Sequence, residues 1–213
     1  MIALIGQKGN MAQLYTEQGV VVPATEVKVG ECVVVGKRTL EQHGYEALQI
    51  GFGAASKRKS RKSLLGFYKK AGVPPARSLQ EIRVDKIADY QVGQKLGVGV
   101  FAPGDVVHVT GVTRGRGFAG GMRRWGWHGG PASHGSMFSR RIGSIGSGTS
   151  PGRPLKGRTM PGHYGVEQVT IRNLSIVKVE PERGVLYVNG AIPGSRGGVV
   201  FIQKKVVLIR KKA

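Results

Sequence analysis

Between Asp105 and Glu167 the chain runs for 61 residues, 106–166, without a single carboxylate, while carrying nine Arg or Lys. At ordinary composition a gap of that length has a chance on the order of one in a few thousand. A segment that only had to stay soluble would mix its signs. One sign alone suits a surface that meets phosphates. A solvated basic loop is the plainer alternative, and the two readings are compatible where a loop orders on binding.

The same stretch restricts its own architecture. Residues 113–165 hold 15 of the 35 Gly and both Trp. No period of 2 or 3.6 survives in them, so neither a half-buried strand nor an amphipathic helix is written there. An irregular segment this long argues against a compact domain unless the segment is functional. Glycine allows tight turns and close backbone approach to another surface. Residues 113–165 therefore read as an extended arm inserted between two strands.

The flanks read as β. Val20, Val22, Val27 and Val29 keep even spacing, and runs at 31–36, 45–53, 106–112, 166–180, 184–190 and 199–209 are rich in β-branched residues and bounded by Gly, Pro or charge. Many short strands at this spacing predict a mainly β fold, a closed or nearly closed barrel built from 1–112 and 166–213. Helix signal is confined to about residues 61–71. That helix lies in a basic segment, 56–72, whose core KRKSRKSLLGFYKK (57–70) has seven cations and no acid. It reads either as a binding surface or as a charged face. A third basic group, Lys204, Lys205, Arg210, Lys211 and Lys212, is weak evidence by itself.

The 213 residues suffice for one domain or two small ones, and 40% hydrophobic content is not that of a disordered chain. One Cys removes a disulfide framework and a Cys-rich zinc site. No apolar run approaches the length of a transmembrane helix. The opening MIALIGQKGNMAQLY has the features of neither a transit peptide nor a secretory signal. A net charge of +21 makes a soluble, intracellular, polyanion-binding protein the expectation.

Motifs that imitate catalytic chemistry fail on context. Gly115–Gly120 fits G-x-G-x-x-G, but a dinucleotide site needs a helix next and an acid about 20 positions on. The following GMRRWGWHGGP is too rich in Gly and Pro for a regular helix, and the next acid is Glu167. Gly148–Gly152 fits G-x-S-x-G, yet the flanks offer neither strand nor helix, and His163 follows Ser150 with no carboxylate between them. His128, His134 and His163 lack the Cys or carboxylate partners that zinc favours. They read as groups that hydrogen-bond to nucleic acid, stack on it, or orient the loop. No catalytic residue, metal site or small-molecule substrate is predicted.

What survives is Arg interleaved with aromatics and glycine. Arg114, Arg116, Arg123, Arg124, Arg140, Arg141, Arg153, Lys156 and Arg158 can pair with phosphates. The dominance of Arg over Lys favours bidentate and stacking contacts. Phe118, Trp125, Trp127 and Phe138 can pack on sugars and bases, or alternatively form a small core of the arm. A reader of duplex DNA presents a helix or β-ribbon at fixed spacing, and none is visible. Structured RNA, with its unstacked bases, is the better match. An RNA-modifying barrel enzyme or a DNA-compacting chaperone are the competing classes.

Several segments resemble the bacterial-type ribosomal protein L-three family of the large subunit. They are RGRGFAGGMRRW (114–125), GGPASHGS (129–136), GSIG (143–146), SPGRPLKGRTMPGHYG (150–165), GAIPGSRGG (190–198) and YEALQIGFG (45–53). The resemblance implies a β-barrel body and an arm that runs through large-subunit rRNA towards the peptidyl-transferase region. It also implies early rRNA binding in assembly and contacts with neighbouring large-subunit proteins. The expected rRNA contacts include Lys57, Arg58, Lys59, Arg61 and Lys62 of the basic segment. In the arm they include the nine cations, Trp125, Trp127, His128, His134, His163 and the tip residues Ser147, Gly148 and Thr149. No cofactor follows, magnesium entering only with the rRNA, and no membrane partner. The implied location is the cytoplasmic large subunit, with an organellar ribosome left open. Asn10, Ala12, Tyr15 and Pro161 depart from the family's usual residues. Thr149 stands where many bacterial members carry a methylated Gln, so that modification does not transfer.

Overall fold

The computed structural model describes residues 3–55, 60–84 and 87–205. The chain divides into two compact units, one of 1–112 with 168–213 and one of 113–167.

The first unit is built on a closed six-stranded antiparallel barrel. Its strands are β1 (Ala3–Tyr15), β2 (Val21–Lys28), β7 (Val106–Val112), β10 (Gln168–Glu180), β11 (Val185–Asn189) and β12 (Val199–Lys204), in the order β1-β12-β7-β10-β11-β2. Closure removes the exposed sheet edges that invite aggregation. Alternation decides which face points inward. Val107 and Val109 of β7 and Val200 and Ile202 of β12 are buried, with half-buried or exposed residues between them. The two 13-residue strands do not stay regular: register shifts fall between Lys8 and Met11 and between Ile171 and Leu174. Asn173, inside the second shift, has φ of 59°, and such bulges bend a long strand around a barrel.

The runs at 31–36 and 45–53 form strands, but outside the barrel ring. They are β3 (Cys32–Arg38) and β4 (Ala47–Ala54) of a separate sheet, completed by β5 (Ala76–Arg83) and β6 (Lys95–Leu96) in the order β5-β4-β3-β6. A one-turn helix, α1 (Leu40–His43), joins β3 to β4. The two sheets share one apolar cluster, with Val34, Leu48 and Ile50 packed among Leu4, Ile5, Val107, Leu186 and Ile202. Apolar alternation therefore identified strands without saying which sheet would take them. Cys32 lies inside this cluster, and burial pushes its thiol up to about 11, which keeps it protonated and inert.

The helix expected near 61–71 is α2 (Lys62–Ala71). Tyr68 anchors it against Val35 and Val73. Gly72 ends it at φ of 67°, and Lys69 and Lys70 in the last turn complement the helix dipole. The family-like segment GAIPGSRGG (190–198) is held by the barrel: Lys8 Nζ donates to the carbonyls of Ile192 and Gly194 at 2.6 and 2.8 Å, and Thr25 Oγ1 to that of Gly190 at 2.5 Å. Partial burial lowers the Lys8 pKa.

Candidate nucleic-acid interface

The second unit, 113–167, is an irregular segment with a paired stem. Thr113 N–H donates to Glu167 O and Val166 N–H to Thr113 O; Arg116 and Tyr164, on facing segments, then bond to Tyr164 O and Gly117 O. The stem continues into β8 (Phe118–Ala119) paired with β9 (Gly162–His163). Gly165 makes the return possible. Its φ is +83°, and a Cβ there would collide with the carbonyl of Arg114.

A short helix, α3 (Gly121–Trp125), follows β8 directly. The sequence argued against regular helix here, and the outcome is five residues stopped by Gly126 at φ of 73°. That is too short to create the phosphate site of a dinucleotide fold, whose acidic partner is also missing. Arg124 Nη1 and Trp125 Nε1 both donate to the Met160 carbonyl, at 2.9 and 2.8 Å. The Arg124 guanidinium also sits 4.9 Å from the Trp125 ring centre. Further out, Gly130 N–H donates to Ser139 O, and Arg158 reaches back to the Ser144 carbonyl.

These bonds separate the predicted residues into two groups. Arg116 lies over the Tyr164 ring at 5.2 Å, and with Arg124, Trp125 and Arg158 it holds the segment together. Arg114, Arg123, Arg140, Arg141, Arg153 and Lys156 are exposed, like Arg116 and Arg158, but make no such contact among the described residues. Among the described residues no ion pair lies within 113–167, whereas the first unit has several, such as Arg38–Glu81 at 3.1 Å and Lys204–Asp105 at 2.6 Å. His128, His134 and His163 are exposed, as are Ser147, Gly148 and Thr149. No set of three His, Cys, Asp or Glu among the described residues is placed to hold a metal ion. No helix among them is long and apolar enough to cross a membrane.

Arg61 and Lys62 are exposed at the start of α2, in the first unit. Lys57, Arg58 and Lys59 lie outside the described residues, as do Arg210, Lys211 and Lys212. Sequence reasoning missed Met160 and Tyr164. Met160 acts through its backbone carbonyl, which no side-chain pattern announces. Tyr164 meets Arg116 only because the stem pairs two segments far apart in sequence.

A small β-barrel protein with a separate unit of uncompensated positive charge is the class that fold and site define. The sequence profile of a family described as ribosomal protein L3 matches residues 49–185. The chain is 49% identical over 201 residues to the large ribosomal subunit protein uL3 of Pelotomaculum thermopropionicum, covering 94% of this chain and 95% of that one. It is 46% identical to uL3 of Carboxydothermus hydrogenoformans and 49% identical to that of Thermotoga petrophila, each over 203 residues covering 95% of this chain and 97% of the relative. The chain belongs to the ribosomal protein L3 family, in its bacterial form.

Proposed function

We propose that this chain is a non-catalytic structural constituent of the large ribosomal subunit. In this reading it binds large-subunit rRNA, helps nucleate assembly, and directs residues 143–153 towards the peptidyl-transferase centre. The barrel meets neighbouring proteins and α2 adds a second basic contact. One observation carries the reading: eight of the nine cations of 113–167 are exposed, and none of them forms an ion pair among the described residues. Folding gains nothing from such charge, because like charges repel and each is left in water. Close approach of RNA phosphates would neutralise it, and Arg suits their geometry.

Family membership and the names of the relatives support the ribosomal setting. The test is co-sedimentation of tagged protein with large subunits, followed by crosslinking in intact subunits. The expected result is crosslinks from rRNA to 123–158 and to Arg61 and Lys62. Protein that stays at the top of the gradient, or crosslinks only to DNA, would overturn the reading.

A further inference from the structure

The second unit contains a cleft of about 660 Å³ walled by Trp127, Phe138, Ile142 and Pro161, with Arg140 and Arg141 at its margin. Its size lies within the usual range for ligand clefts, about 300–1,000 Å³. The rings are seated on glycine. The Gly121 backbone abuts the Trp127 ring so closely that any Cβ at 121 would collide with it. Phe138 lies against Gly130 and Gly143, where an added Cβ would come within 3.1 Å of its side chain. Two aromatic rings are thus fixed by backbone, yet Phe138 remains 42% exposed. Among the described residues neither the Arg140 nor the Arg141 guanidinium has a hydrogen-bonding or ion-pairing partner.

We propose that this cleft receives one unstacked base of single-stranded or bulged RNA, while Arg140 and Arg141 hold its flanking phosphates. The inference rests on the RNA-binding reading above and adds to it a specific docking point. Apolar walls and cationic margins suit a ligand with a π-face and adjacent anions, and an unpaired nucleotide has both. An acidic peptide would match the charge without the flat apolar body. An apolar protein side chain would fill the walls and leave both cations unmatched.

The test uses the full-length chain and three RNAs: a perfect duplex, the same duplex with a single 2-aminopurine bulge, and that duplex with an abasic bulge. The base-bearing bulge is expected to bind about tenfold more tightly than the abasic one, the worth of one stacked base, and its 2-aminopurine fluorescence to fall on binding. Trp127→Leu should bring the base-to-abasic ratio close to one. Trp127→Phe should keep most of it, which separates stacking from mere folding of the segment. Arg140→Gln with Arg141→Gln should weaken binding to both bulged RNAs while preserving the ratio. Equal affinity of the native chain for base-bearing and abasic bulges overturns the docking point alone, and leaves the cleft to a protein side chain. Failure to bind any of the three RNAs overturns the RNA-binding reading together with it.

Discussion

The indole Nε1–H of Trp125 donates to the backbone carbonyl of Met160 at 2.8 Å, across 35 residues of sequence. Arg124 uses the same oxygen, so the outgoing and returning halves of the second unit, 113–167, are tied at one atom. Trp125→Phe keeps the ring and removes this bond, at a cost of about 1 kcal/mol to local order. Trypsin should then cleave at Lys156 or Arg158 about fivefold faster, read by mass spectrometry, while peptides from the barrel strands persist.

Gly121 supports Trp127, so Gly121→Ala is expected to displace that ring. Near-UV circular dichroism should lose tryptophan signal while the far-UV strand signal is kept. Gly148→Ala is the control, because nothing lies within 4 Å of a Cβ there. Equal spectra for the two variants would contradict the packing described.

Phosphate contacts release counterions, so RNA affinity should fall as salt rises. Removing Arg140 and Arg141 together should flatten the log–log slope by roughly one to two units. Filter binding across a salt series measures it, and an unchanged slope would assign both side chains to packing.

On the proposed function, Gly148 stands near the peptidyl-transferase centre. Space around it is open and its φ is unremarkable, so Gly148→Trp should leave the barrel folded. Ribosomes carrying it should show altered peptide-bond rates or altered affinity for inhibitors of that centre. Normal assembly, rates and affinities together would sink this placement.

Asp105 accepts from Ala102 N–H at 2.8 Å and from Lys204 at 2.6 Å, and these two contacts, in that order, lower its pKa. A depressed carboxylate stabilises the fold above its unfolded pKa, near 3.9, and that contribution is lost as pH falls through the lower folded value. Asp105→Asn should therefore cost about 1 kcal/mol at pH 7, with a smaller deficit by pH 3. Urea denaturation at several pH values tests the sign.

Much of the fold was legible because burial writes period 2 into a strand, as in Val107–Val109 and Val200–Ile202. β1 was not, since its middle, GQKGN, carries polar residues where a bulge relaxes the inward-facing requirement. The allocation of β3 and β4 to a second sheet was also hidden, because alternation records burial and not the partner. In the basic segment, absence of acid marked the charge correctly. It could not show that Arg116, Arg124 and Arg158 contact Tyr164, Met160 and Ser144, since those contacts depend on how the stem pairs.

β12 lies between β1 and β7, with Gln203 opposite Ala3. A chain made from its N-terminus therefore presents β1 and β2 long before the strand that closes the ring exists. Joining such distant strands costs loop entropy of about 4–5 kcal/mol before the pairing repays it. High contact order of this kind slows folding. Until then β1 exposes one row of unpaired backbone groups that other chains can join. Residues 113–167 are synthesised earlier than β12, so on the proposed function rRNA meets them while the barrel is still open. For this topology, translation order makes β12 the gate to a closed barrel, and the proposed RNA contact precedes that closure.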